Sequence, residues 1–441
     1  MLILYLLSIF NVFISVNSVN LGDLKLVLVQ AIWRHGDRAP QTPFRTDPIK
    51  ESDWIFGGGG YGELTPDGMR QHFKLGRAIR DRYISGTFKF LPETYDSKKI
   101  HIRSTDRNRT IISALSNIYG MYSVNNSKSR SGIDYPDIAG WTPGFIPIAV
   151  HTRDYDSDCV ANVECDCPRR DALQDMAHTL PDYVNYTTSP EFLEVLQNLT
   201  TNTGENITAD NLWTVPDALL CERIHFYDRL ISENTWYSDE FYTKIQRINH
   251  RTSYFTCGIY AKPSIVNSID VGKEIIKIRS GPITNEIYDR MTQKLDCAKN
   301  PKCTNQFIRN LQYYAYSAHD ETIYSLMTSF GIEDNAAPDP GEWPAYSASI
   351  FVELFTDNKN DAYFSLVYRA NENATFVSLT KTIPDCKSQD YCPIEVFKKY
   401  AEMYKPDQDI TSWCQVLPSN SSRQFFGFSA VVVAIFSIFR I

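Results

Sequence analysis

Arg34-His35-Gly36-Asp37-Arg38-Ala39-Pro40 gathers two arginines and a histidine into one short stretch. Arginine presents a planar fork of donors that matches phosphate oxygens, and it stays charged at ordinary pH. A neutral imidazole held between such cations is suited to attack phosphorus. Gly36 is expected to let the backbone approach a ligand, and Pro40 to stiffen the exit. A basic loop paired with surface carboxylates is the plainer reading, and the residues before the heptad argue against it. Residues 24–33 form a nearly unbroken apolar run, the pattern of a strand buried on both faces of a parallel sheet. Open α/β sheets bind ligands just beyond the carboxyl ends of such strands, so the basic side chains arrive where a small anion would sit.

A second pair, His319-Asp320, follows strand-like residues 312–317 and precedes a helical stretch over 322–328. Adjacent His and Asp arise easily by chance in a chain with 8 histidines. The strand-to-helix junction is what marks this pair. A carboxylic acid there can protonate a leaving group and later, as carboxylate, activate water. Residues 99–103 alternate like a strand and Thr105-Asp106 offers a helix start, so Arg103 is expected on the same ligand edge. Phosphoryl transfer needs charge stabilisation and positioning more than covalent machinery, and three arginines can supply the charge that a metal supplies elsewhere. The histidines and cysteines show no metal-ligand spacing, so neither a metal nor another cofactor is expected. Gly57-Gly58-Gly59-Gly60 is followed by no Gly-Lys-Ser/Thr and reads as a flexible loop at the rim.

The heptad R-H-G-x-R-x-P resembles the signature of the histidine acid phosphatases, within branch 2 of the histidine phosphatase superfamily. The likeness continues through Thr46-Asp47-Pro48-Ile49-Lys50-Glu51-Ser52, Gly62-Glu63-Leu64-Thr65 and Gly68-Met69-Arg70-Gln71-His72. It resumes at Ile102-Arg103-Ser104-Thr105-Asp106 with Arg109-Thr110, and at Tyr316-Ser317-Ala318-His319-Asp320. Order and spacing resemble those of the prostatic and lysosomal animal members over residues 24–414. The resemblance implies an α/β fold: a mostly parallel central sheet flanked by helices, as in phosphoglycerate mutase, with a smaller helical insertion domain. It implies that His35 attacks a phosphate monoester to give a phosphohistidine and that Asp320 donates the proton. Arg34, Arg38, Arg103 and His319 would hold the phosphate. It also implies bridges Cys167–Cys414 and Cys386–Cys392. The family's third bridge would begin at Cys221, but residues 345–350 hold no cysteine, which leaves Cys257 as a candidate partner. Cys159 with Cys165, and Cys297 with Cys303, are candidate local bridges. Glu321 departs from the family's threonine and is expected to point into solvent.

Neighbouring arginines disfavour imidazolium, so His35 is expected to stay neutral below its ordinary pKa near 6.5. Asp320 must carry a proton to act as an acid. Together these predict an acid pH optimum.

The chain has 441 residues, 43% of them hydrophobic, enough for a large core. A net charge of −8 and no basic run exclude nucleic acid as an expected partner. Residues 1–18 read as a secretory signal. Ten cysteines and seven N-x-S/T sequons fit an oxidising, glycosylating route. Asn125, Asn185, Asn198, Asn206 and Asn373 are the candidate acceptors; Asn108, inside a matched motif, is expected to be unused, and Asn420 precedes the tail. Residues 424–439 form an apolar tail, short for a span and equally suited to a glycolipid-anchor signal. The expected location is therefore the secretory pathway, attached to a membrane, with the catalytic domain extracellular or lumenal. The α/β body is expected over 19–154 and 296–418, and a helical cap over 155–295 that includes helices over 218–232 and 240–247. Thr65 is expected to cap a helix running to residue 84. The family resemblance suggests a homodimer.

Three functions are open to such a chain. An acid phosphatase of phosphate monoesters comes first, then a narrower enzyme for lysophospholipids or inositol phosphates. An inactive surface glycoprotein that uses the fold for binding is the reading of another class.

Overall fold

A computed structural model describes residues 21–123, 128–261, 264–335 and 343–418. The signal, the apolar tail, Asn125 and Asn420 lie outside them. Among the described residues no helix is long and apolar enough to cross a membrane.

The centre is an eight-stranded sheet. Its main strands are β1 (Lys25–Arg34), β2 (Ile100–Thr105), β3 (His151–Arg153), β4 (Tyr313–Ala318), β5 (Ser349–Thr356) and β6 (Ala362–Arg369). Their spatial order is β6-β5-β1-β4-β2-β3, with short pieces Val377–Ser378 and Cys392–Pro393 paired to β6. Pairs β1·β4, β4·β2 and β2·β3 are parallel; β5 and β6 run antiparallel to their neighbours. The fold class is α/β, and the parallel half carries the site.

The apolar run of β1 is buried on both faces, as its composition demands. Leu28 and Ile32 enter one core cluster; Val29, Ala31 and Trp33 enter the other. Helices α1 (Pro66–Tyr83) and α2 (Asn108–Ile118) cover the second cluster. Thr65 caps α1 by accepting the Gly68 N–H at 3.1 Å, and Pro66 fills the first turn.

The roof has a core of its own. Phe192, Val195, Leu199, Val215, Leu219 and Ile245 pack around Phe44. Its helices include α3 (Thr214–His225) and α4 (Asp239–Thr256). The helix expected over 218–232 breaks at Phe226, where φ is −138° and ψ 34°, because that ring packs edge-on to Trp54 at 4.8 Å. The expected cap boundary at 295 also differs from the packing. Helix α5 (Gly281–Lys299) sends Ile283, Ile287 and Met291 into the body's core beside Leu28 and Ile32. Periodicity announces such a helix but does not say which core it covers.

Four bridges form: Cys159–Cys165, Cys167–Cys414, Cys297–Cys303 and Cys386–Cys392. The expected pairing of Cys221 with Cys257 does not. Both are buried free thiols, Cys221 in a cluster with Ala39 and Trp54, Cys257 in the body's core. Asn185, Asn198, Asn206 and Asn373 are exposed.

Candidate active site

Parallel pairing sets Arg34 level with Ala318, and the His35 N–H continues the ladder to the Ala318 carbonyl at 3.0 Å. The heptad and His319-Asp320 therefore leave adjacent strands side by side. Helix α6 (Asp320–Phe330) starts directly after His319, as α2 starts soon after β2. The His35 and His319 rings meet edge to face with centroids 5.7 Å apart.

The loop after β1 is tied down on every side. The Gly36 N–H donates to Ser113 Oγ at 3.0 Å, and the Asp37 N–H to Gln71 Oε1 at 2.8 Å. His72 Nε2 donates to the Arg34 carbonyl at 2.9 Å; burial pushes that imidazole down to about 4, so it is a neutral strut. Gly36 serves a different contact from the one expected. A Cβ there would meet the Gly68 backbone at 2.4 Å, so glycine lets the loop close onto the start of α1.

His35 Nδ1 lies 2.8 Å from the Gly36 carbonyl oxygen. A carbonyl only accepts, so Nδ1 carries the hydrogen and Nε2 keeps a free lone pair. The imidazole is held well below its ordinary pKa. Burial is the largest cause, followed by the charges of Arg109, Arg38 and Arg34 and by His319. The arginines alone were the expected reason; desolvation outranks them. His319 is lowered too, first by burial and then by Arg109, Arg38 and Arg34, and its Nε2 lies 3.0 Å from Thr105 Oγ1.

Arg34 pairs with Asp320 at 3.1 Å, donates to the Pro344 carbonyl at 2.8 Å, and stacks over Tyr346 with its guanidinium carbon 4.3 Å from the ring centre. Arg38 meets both oxygens of Asp217, at 3.1 and 2.6 Å. Arg103, like Arg34 and Arg38, pairs with carboxylates. Its terminal nitrogens pair with Asp158 and with Glu286, the latter at 3.2 Å, and the largest charges acting on His35 and His319 are those of other arginines. Arg109 stands first among the charges acting on both histidines. It donates to the neutral amide of Gln41 at 3.0 Å, and burial and then Arg38 pull it down to about 10. Arg103, Arg107 and Arg109 crowd one strand-to-helix junction. Alternation points to Arg103, which lies within the strand; only the turn into α2 carries Arg109 toward His35. Arg34, Arg38, Arg103 and Arg109 each bury an Nε–H with no acceptor among the described residues.

Asp320 is 24% exposed at the rim, and its Oδ1 accepts the Glu321 N–H at 3.0 Å. Glu321 does not point into solvent. It is half-buried, and burial, with Glu164 close by, raises it to about 8 against the pull of Arg279. Sequence gives no signal for Asp217, which comes from the roof, or for the strut His72 beyond its place in a matched motif. The Gly57-Gly58-Gly59-Gly60 run takes positive φ throughout, with the Gly60 N–H on the Trp54 carbonyl at 2.8 Å.

Residues 25–369 match the family model of the histidine phosphatase superfamily (branch 2). Two Caenorhabditis elegans relatives bearing acid phosphatase names are 35% and 37% identical, covering 90% and 89% of this chain and 95% and 94% of theirs. Mouse prostatic acid phosphatase is 29% identical over 90% of this chain and 91% of its own. Among solved structures, the apo phytase of Hafnia alvei superposes with a TM-score of 0.59 at 14% identity, over 90% of this chain and all of its own. At that identity the superposition speaks for the fold alone. With a matching family model across most of its length, this chain belongs to branch 2 of the histidine phosphatase superfamily.

Proposed function

We propose that the protein is an acid phosphatase that hydrolyses phosphate monoesters through a phosphohistidine. Arg34, Arg38 and Arg109, together with His319, hold the phosphate. Arg103, engaged by Asp158 and Glu286, supports the floor behind them. His35 Nε2 attacks phosphorus in line as the leaving alkoxide takes the proton of Asp320. Asp320, now a carboxylate, activates the water that cleaves the phosphoenzyme. The observation that carries this reading is the free Nε2 lone pair of a neutral His35 amid three buried guanidinium groups.

Asp217 and Asp320 pair with two of these arginines. Two carboxyl groups so close disfavour a polyanionic inositol phosphate and favour a substrate with one phosphate, lipid monoesters included. Secretory-pathway placement agrees with four disulfides and with the lysosomal and prostatic names of relatives.

The test is hydrolysis of p-nitrophenyl phosphate at pH 5, with and without chelator, by the protein and by His35→Ala. Chelator-resistant turnover that the variant loses is the expected result. Turnover that survives the substitution, or that the chelator abolishes, overturns the route.

A further inference from the structure

Helix α3 lays Asp217, Cys221 and His225 along one face, four residues apart, and that face points at the heptad. Asp217 grips Arg38; Cys221 Sγ lies 3.8 Å from Arg38 Nη1; His225 Nε2 lies 2.6 Å from Asp37 Oδ2. The roof thus reaches past the rim and holds two successive residues of the loop. The Arg38 contact is the closer to the chemistry. Asp217 Oδ1 accepts from Arg38 Nη2, and Oδ2 accepts from Arg38 Nη1 and from the Gln41 N–H at 3.1 Å. Burial pushes the Asp217 carboxyl up, and the adjoining Arg38 charge overrides it, so the group stays ionised. Arg38 Nη1 is shared between Asp217 and the Ala39 carbonyl, Nη2 donates to Asp217, and the Nε–H has no acceptor among the described residues.

Resting on the phosphatase reading, we propose that Asp217 is a positioning residue that holds Arg38 ready in the empty pocket and loosens the pocket's grip on product phosphate. The charge balance supports it. Three guanidinium charges face two carboxylates, Asp217 and Asp320, while both histidines are neutral. A buried arginine without its partner is an uncompensated charge. With Asp217 in place, Arg38 is compensated before substrate arrives and after phosphate leaves. Without that carboxylate only a bound anion can compensate it, and phosphate becomes the tighter ligand.

The test compares wild type, Asp217→Asn and Asp217→Glu. It reads competitive inhibition by inorganic phosphate at pH 5 with p-nitrophenyl phosphate as substrate, and thermal melting with and without phosphate. In Asp217→Asn the inhibition constant should fall about tenfold, the effect of removing one unit charge near a bound anion. Melting without phosphate should drop, and phosphate should restore it by more than it raises wild type. Asp217→Glu, which keeps the charge, should return the inhibition constant toward the wild-type value. An unchanged or raised constant in Asp217→Asn, or a melting loss that phosphate does not relieve, overturns the proposal. The wild-type arm separates the two ideas: if wild type neither turns over nor shifts its melting with phosphate, the phosphatase reading falls and takes this one with it.

Discussion

Arg103 and Arg109 flank one strand-to-helix turn, yet Arg103 is locked by Asp158 and Glu286 while Arg109 presses its charge on His35 and His319. Substituting each by alanine should separate their roles. Arg109→Ala should lower kcat/KM for p-nitrophenyl phosphate about a thousandfold, the scale of losing a transition-state charge contact, with little change in melting. Arg103→Ala should leave the buried Asp158 carboxylate without its cation, while Glu286 keeps Arg290, and destabilise the fold by about 3 kcal/mol. Its folded fraction should keep activity within about tenfold of wild type. Equal losses of activity in the two variants would return Arg103 to the phosphate.

The His35 tautomer predicts where the phosphoryl group goes. Alkali-quenched phosphoenzyme should carry phosphorus on Nε2, which phosphorus NMR distinguishes from Nδ1. Because the folded-state pKa of His35 is held well below 6.5, its imidazole stays neutral into a pH range where a free histidine is already charged. The acid limb of kcat/KM should therefore lie well below pH 6.5, and a limb at 6.5 would contradict the burial seen here.

Asp47 and Glu222 form a buried carboxyl pair in the roof. Burial is the largest cause of the rise in both; Glu222, with Asp47 beside it, is raised to about 9, and Asp47 is raised as well. Glu222 accordingly donates a shared proton to Asp47. A raised folded-state pKa stabilises fully below the unfolded value of 4.5 and fades as pH climbs toward 9. Glu222→Gln keeps the donor and cannot ionise. Its melting temperature should match wild type at pH 5 and exceed it at pH 8. A constant offset across that range would remove the shared proton.

Glu321 gives a similar prediction for activity. Raised to about 8, it is neutral at pH 5 and places no charge beside Asp320. Glu321→Gln should leave kcat/KM at pH 5 within about threefold of wild type, as removing no charge should. The two profiles should part only above pH 7. A large loss at pH 5 would mean that the carboxyl group itself acts there.

The sequence by itself determined what local pattern can encode. An apolar run ending in R-H-G-x-R-x-P dictates a buried parallel strand with its chemistry at the carboxyl end, and Thr65-Pro66 dictates where α1 begins. Motif types likewise announce His35, Arg34, Arg38 and the His319-Asp320 pair. Tertiary structure decided whatever depends on which distant side chain arrives. Whether Arg103 or Arg109 faces His35 turns on Asp158 and Glu286, which lie 55 and 183 residues away along the chain from Arg103. Asp217 reaches Arg38 across 179 residues, from a roof helix whose spacing marks a helix and nothing more. Glu321 sits inward because α6 starts at Asp320 and turns the next side chain toward Arg279 and Glu164. Cys221 and Cys257 stay apart because they belong to different cores. Periodicity and motif act over a few residues, whereas charge compensation in a buried pocket is settled only when the chain has closed around it.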